Sequence, residues 1–240
     1  MKALLDRARS FKRRVDFESD EYRKLAVGQF PEALFITCSD SRVIPALITG
    51  ARPGEIFELR NAGNIVPPHD AYGAASGEAA TIEYALEVLG VQDIVVCGHS
   101  HCGAMGALKY GADLSGLPRV DAWLDYARPA LEPVLGAATG GNGTDGNDGS
   151  GSDGSGSDRS GRDGSGRDGS GRDSASSEDP ALREVVQLNI RNQLAVLREY
   201  PVARQQLDAG RLRLHGWYYE IDTGQVHELD ADGDFQVHGS

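Results

Sequence analysis

Ala33-Leu-Phe-Ile-Thr-Cys38-Ser-Asp40-Ser-Arg42 is the stretch from which the rest of the chain can be read. Its first five residues are apolar or β-branched, the composition of a strand buried on both faces. A thiol, a carboxylate and a guanidinium follow at once where that strand ends. About sixty residues later a second run, Ile94-Val-Val-Cys97, ends in the same manner with His99-Ser-His101-Cys102. If the two strands are neighbours in a parallel sheet, two thiols and an imidazole meet at its carboxyl edge, where open α/β sheets place their chemistry. Three N/S donors with a fourth position open form the ligand set of a catalytic zinc, whereas a structural zinc is closed by four. The spacing therefore predicts a metalloenzyme holding Zn2+ on Cys38, His99 and Cys102. Cys97, inside its strand beside Val95 and Val96, reads as a packed hydrophobe. His101 reads as an exposed histidine between two ligands.

The remaining elements fit an α/β fold with a mainly parallel β-sheet flanked by helices. Residues 1–32 are charged, with Leu4, Leu5, Phe11, Val15, Phe17, Tyr22 and Leu25 spaced as in one or two amphipathic helices, an N-terminal helical arm. Strands are expected at 33–38, 56–59, 93–98, 211–221 and 226–229. Helices are expected over 76–89, ended by Gly90, from the 99–106 turn onward, near 122–135, and over 181–199. The single catalytic domain then comprises 33–139 and 178–240. Between its halves, 140–177 holds thirteen of the 31 glycines and no apolar side chain larger than the Ala175 methyl. Nothing there offsets the entropy of ordering, so the segment reads as a disordered insertion. A calcium-binding β-roll would need an apolar residue in every turn.

Bulk properties narrow the function. A net charge of −12 over 240 residues argues against nucleic acid, which calls for a basic face. No apolar run approaches the roughly 20 residues that span a bilayer, and no apolar leader core is visible, so neither membrane insertion nor secretion is expected. Three cysteines without disulfide-type spacing suggest a reducing compartment, hence a cytoplasmic location.

Cys38-x-Asp40-x-Arg42 after one strand and His99-x-x-Cys102 after another resemble the β-class carbonic anhydrases. So do Arg52-Pro-Gly-Glu-Ile-Phe57, Arg60-Asn-Ala-Gly-Asn64, Ala80-Thr-Ile-Glu-Tyr84 and Asn189-Ile-Arg-Asn192. The match is collinear from about 30 to 106 and resumes near 182. The resemblance implies zinc-dependent, reversible hydration of carbon dioxide to bicarbonate and a proton by a metal-bound hydroxide. Asp40 would then orient the hydroxide as an ionised acceptor, and Arg42 would hold Asp40 ionised through a bidentate pair. In a closed state Asp40 would itself become the fourth zinc ligand. Similarity to the plant-type branch assigns Gln29, Phe57 and Tyr84 to the carbon dioxide pocket, supplied partly across the interface of a homodimer or tetramer. Arg60 and Asn61 would link subunits or brace the site. Phe35 stands where the bicarbonate-inhibited branch has tryptophan, which argues against that regulation. Val88 stands where some plant relatives have histidine, so no proton shuttle is assigned. Two alternatives use the same residues: hydrolysis of carbon disulfide or carbonyl sulfide, and a non-catalytic zinc-binding regulator. Retention of Asp40 and Arg42 weighs against the second.

Overall fold

The apolar runs form strands whose alternate residues serve two different faces. The computed structural model describes residues 1–17, 19–71, 76–135 and 178–237. In chain order it contains α1 (Lys2–Phe17), α2 (Ser19–Leu25), β1 (Ala33–Cys38), α3 (Pro45–Thr49), β2 (Ile56–Asn61) and α4 (Gly77–Glu83). There follow β3 (Asp93–His99), α5 (Gly103–Lys109), α6 (Pro118–Leu124), α7 (Arg128–Leu135), α8 (Pro180–Glu199) and α9 (Pro201–Asp208). The chain then adds β4 (Arg213–Tyr219), β5 (Val226–Leu229) and β6 (Phe235–Val237). The six strands form one sheet in the order β2-β1-β3-β4-β5-β6. The first four are mutually parallel, and β5 and β6 extend the edge antiparallel.

The chain leaves β1 towards β2 on one side and returns to β3 on the other, so the topological switch point lies between β1 and β3. That is where such sheets hold ligands. Leu34, Ile36, Ile94 and Val96 face the main core. Phe35, Val95 and Cys97 face the other side, with Trp217 against them. The α8 helix covers the first face with Val185, Val186, Ile190, Leu194 and Leu197, all buried. Each such side chain contributes about 1.5–3 kcal/mol relative to exposure. The close approach of α8 requires glycine at position 98, where a Cβ would stand 2.7 Å from Val186 Cγ1. The helix starts on Asp179, whose side chain accepts the Ala181 N–H, with Pro180 in the first turn.

Several expected boundaries move. The helix expected over 76–89 begins with Ser76 as its cap, then widens into a π-helical turn at Tyr84–Val88. The helix expected near 122–135 is two helices, broken at 125–127. The short α3, α9 and β6 are additional to the expected elements. The 140–177 insertion lies outside the described residues. Among those described, no helix is long and apolar enough to cross a membrane.

Candidate metal centre

The ends of β1 and β3 bring Cys38 and His99 side by side, and the next turn returns Cys102 to them. Their ligand atoms all lie within 4.8 Å of one another, and all three residues are buried. His99 Nδ1 is 2.9 Å from the Ser100 carbonyl oxygen, which can only accept, so Nδ1 carries the proton and Nε2 presents a lone pair. That Nε2 is buried without a hydrogen-bond partner. Buried polar atoms are almost always paired, so an orphaned imidazole nitrogen beside two buried sulfurs fits a metal ligand. The donor set is also that of zinc.

Electrostatics favour thiolate at Cys38. Hydrogen bonding from Cys102 chiefly, with the nearby His99 ring and backbone N–H groups adding to it, outweighs burial and pulls the Cys38 thiol down to about 4. One of those donors is Gly63 N–H, 3.4 Å from Cys38 Sγ. Gly63 has φ +80°, and a Cβ there would meet Met105 Cε at 3.0 Å and Ala104 Cβ at 3.1 Å, so glycine alone lets this amide reach the sulfur. Cys102, the donor to Cys38 and itself deeply buried, is pushed up. It caps α5, where the Ala104 and Met105 amides act in the opposite direction. Thiolate is the ligating form of cysteine. Burial pushes Cys97 up to about 12, in keeping with a packed thiol.

Asp40 and Arg42 form a paired unit beside the three donors. Asp40 Oδ1 accepts from Arg42 N and Nε, both at 2.9 Å, and Oδ2 accepts from Nη2 at 2.7 Å. This pairing holds the Asp40 carboxyl well below the usual carboxylate range. Arg42 Nη2 also donates to the His101 carbonyl at 3.2 Å, tying the Cys38 loop to the His99–Cys102 loop. Asp40 is therefore held by Arg42 and is not one of the three clustered donors.

The supporting residues were only partly visible in the sequence. Arg60 braces the 38–43 turn by donating to the carbonyls of Cys38, Asp40 and Val43. Asn61 closes the 61–65 turn onto Ile65 N and O. Asn189 and Gln193 of α8 fasten the same turn through Gly63 O and Val66 N. His101 is half-buried rather than exposed, with Nε2 3.7 Å from Asp222 Oδ1 and a left-handed φ of +57°. Gly63 and Glu178 were missed; the Arg60–Asn64 motif pointed to the first, and no local signal marked the second.

The three pocket candidates lie elsewhere within the chain. Phe57 and Tyr84 stack at 5.9 Å between ring centroids, tilted by 32°. Gln29, Tyr84 and Leu89 help line a surface cavity of about 510 Å3 that none of the three metal donors lines. Phe57 is level with Leu34, four residues before Cys38, a separation of about 13 Å along a strand. Phe35 is buried edge-on against Trp217 at 5.7 Å. Val88 is exposed.

Known carbonic anhydrases resemble this chain over most of its length. The carbonic anhydrase family model matches residues 33–148 and 162–226. A carbonic anhydrase of Pseudomonas aeruginosa is 41% identical over 214 residues, covering 89% of this chain and 80% of that protein. The solved structure of the β-carbonic anhydrase CcaA superposes with a TM-score of 0.78 at 36% identity, covering 99% of both chains. A tetrameric β-carbonic anhydrase of Sordaria macrospora gives 0.71 at 27% identity, covering 96% of both.

Proposed function

The chain belongs to the β-carbonic anhydrase family, and from that premise we infer that its Cys38–His99–Cys102 centre carries zinc-dependent, reversible hydration of carbon dioxide to bicarbonate and a proton. The observation that carries the assignment is the orphaned, buried His99 Nε2 between two buried sulfurs. When bound, zinc supplies the Lewis acidity that makes water nucleophilic near neutral pH; with two thiolates the acidification is weaker than the value of about 7 reached on neutral ligands. Activity is therefore expected to rise towards mildly alkaline pH.

The chain's own residues do the rest. Asp40 Oδ1 takes two N–H donors from Arg42 and Oδ2 takes one, which leaves Oδ2 a lone pair to accept the proton of the attacking oxygen and aim it. Carbon dioxide has no leaving group, so no general acid is required. Three bonds from Arg42 hold Asp40 in this pose, and we take the Arg42-paired arrangement as the active one.

Gln29, Phe57 and Tyr84 would line the carbon dioxide pocket of a second subunit, because in their own chain they lie near the amino end of the strands. Exposed Leu4, Leu5, Phe11, Val27, Phe30 and Tyr84 support assembly into a dimer or tetramer. The free cysteines suit a reducing, cytoplasmic setting. Stopped-flow carbon dioxide hydration, with zinc quantified in the same sample, tests the reading. Hydration tracking one zinc per chain is expected; a full complement of zinc without hydration would refute it. Removal of 143–176 should leave kcat/KM intact and change stability by about 1.4 kcal/mol at most, since loop-closure entropy grows only logarithmically with length. Comparison of the full and shortened chains by melting temperature and kcat/KM checks this.

A further inference from the structure

One buried carboxylate reaches the metal loop from far along the chain. Glu178, just before α8, has a fully buried side chain. Its Oε1 accepts the His101 backbone N–H at 2.6 Å, and its Oε2 accepts the Tyr218 phenol. Arg183 Nε lies 4.0 Å from Oε2, and the same guanidinium covers the Tyr218 ring at 5.0 Å and pairs with Glu220.

The amide that Glu178 grips is the peptide joining Ser100 to His101. The other end of that peptide, Ser100 O, accepts the Nδ1 proton of His99 at 2.9 Å. The connectivity is continuous: imidazole N–H to carbonyl oxygen, through one planar amide, and from its N–H to a carboxylate. We propose that Glu178 is a positioning residue which sets the orientation and donor strength of His99 through the Ser100–His101 peptide. The proposal rests on the reading of Cys38, His99 and Cys102 as the zinc ligands.

A ligating histidine usually gives its other N–H to a carboxylate or carbonyl, which fixes the ring and raises its basicity. Here the acceptor is a carbonyl whose amide is itself bonded to a carboxylate. An acceptor on the N–H draws amide electron density towards the oxygen, strengthening the next bond in the chain by about 10–30%. The loop offers little slack for that peptide to turn away. Ser100 N–H donates to Tyr219 O at 2.9 Å, Ser100 Oγ accepts the Ile221 N–H at 2.9 Å, and the His101 carbonyl is held by Arg42. The left-handed backbone at His101 is sparsely populated for a residue with a side chain, so the surrounding bonds must enforce it.

Glu178→Gln tests the relay, because glutamine keeps an oxygen for the His101 N–H and loses the charge. The measurements are zinc affinity of the full chain by chelator competition, and the His99 Nδ1 proton resonance of the zinc-loaded protein. The expected result is zinc binding weaker by about 10-fold, the low end for such outer partners, with the Nδ1 proton moving upfield. A folded variant with unchanged affinity and resonance, or one that merely melts earlier with both unchanged, would overturn the proposal. If Glu178→Gln does not fold, the wild-type zinc protein decides: the His101 amide proton should be strongly downfield and among the slowest to exchange, and an ordinary, fast-exchanging amide would overturn it. Wild-type protein that fails to bind one zinc per chain would instead defeat the ligand assignment on which the proposal stands.

Discussion

His99 and His215 occupy opposite ends of the same parallel strands, and both sit among charged or ligating groups. At the amino end, His215 Nε2 is 2.8 Å from Asp93 Oδ1 and its Nδ1 is 3.3 Å from Glu228 Oε1, while Arg213 adds two bonds to Asp93. Each ring nitrogen faces a carboxylate oxygen, and the side chain is 30% exposed. At the carboxyl end, His99 is wholly buried and one ring nitrogen has no partner. A cluster rich in titratable groups is thus not in itself a reactive site. The amino-end cluster ties β3, β4 and β5 together with its valences filled; the carboxyl-end cluster leaves open the valence a metal would take.

If that contrast holds, changes at the two ends should have different currencies. Cys102→Ala should have the largest effect, loss of zinc together with hydration activity, because it leaves an underfilled site. Stoichiometric zinc by atomic absorption in that variant would break the comparison. Asp40→Asn should retain zinc and lose about 100-fold in kcat/KM, the lower range for a positioned proton acceptor. Stopped-flow rates near wild type would show that the Arg42-held carboxylate is only structural. Asp93→Asn, at the other end, should leave both zinc and kcat/KM untouched and cost about 1 kcal/mol, as a partly exposed ion pair does. Arg213 chiefly lowers the Asp93 pKa, so this contribution should be present above the ordinary aspartate range near 4 and fade as pH falls below it. Urea melts of the two proteins at pH 7 and pH 3 would show that convergence; a gap that widens towards low pH would contradict it.

The sequence disclosed the carboxyl end far better than the amino end. Strand-terminal Cys38 and His99 stood out because a buried, β-branched run ends in polar donors, a pattern with few structural explanations. The paired cluster gave no such sign: Asp93 and Arg213 lie 120 positions apart and meet only through the β3–β4 register. Glu178 was invisible for a related reason, since its bond to His101 spans 77 positions and it follows a low-complexity stretch. Local polarity hid β6, whose three residues pair with β5 at the sheet edge. The π-helical turn after Glu83 has the apolar spacing of an ordinary helix, so the sequence does not mark it. Long apolar runs specify strands and faces, whereas pairings set by tertiary register leave no trace in neighbouring residues.

X-ray absorption at the zinc edge of the zinc-loaded full chain tests the central claim most directly. The account predicts two sulfurs at about 2.3 Å and one imidazole nitrogen at about 2.0–2.1 Å, with a single light atom completing four-coordination. A shell of nitrogen and oxygen alone, as the His215–Asp93–Glu228 cluster would supply, would contradict it.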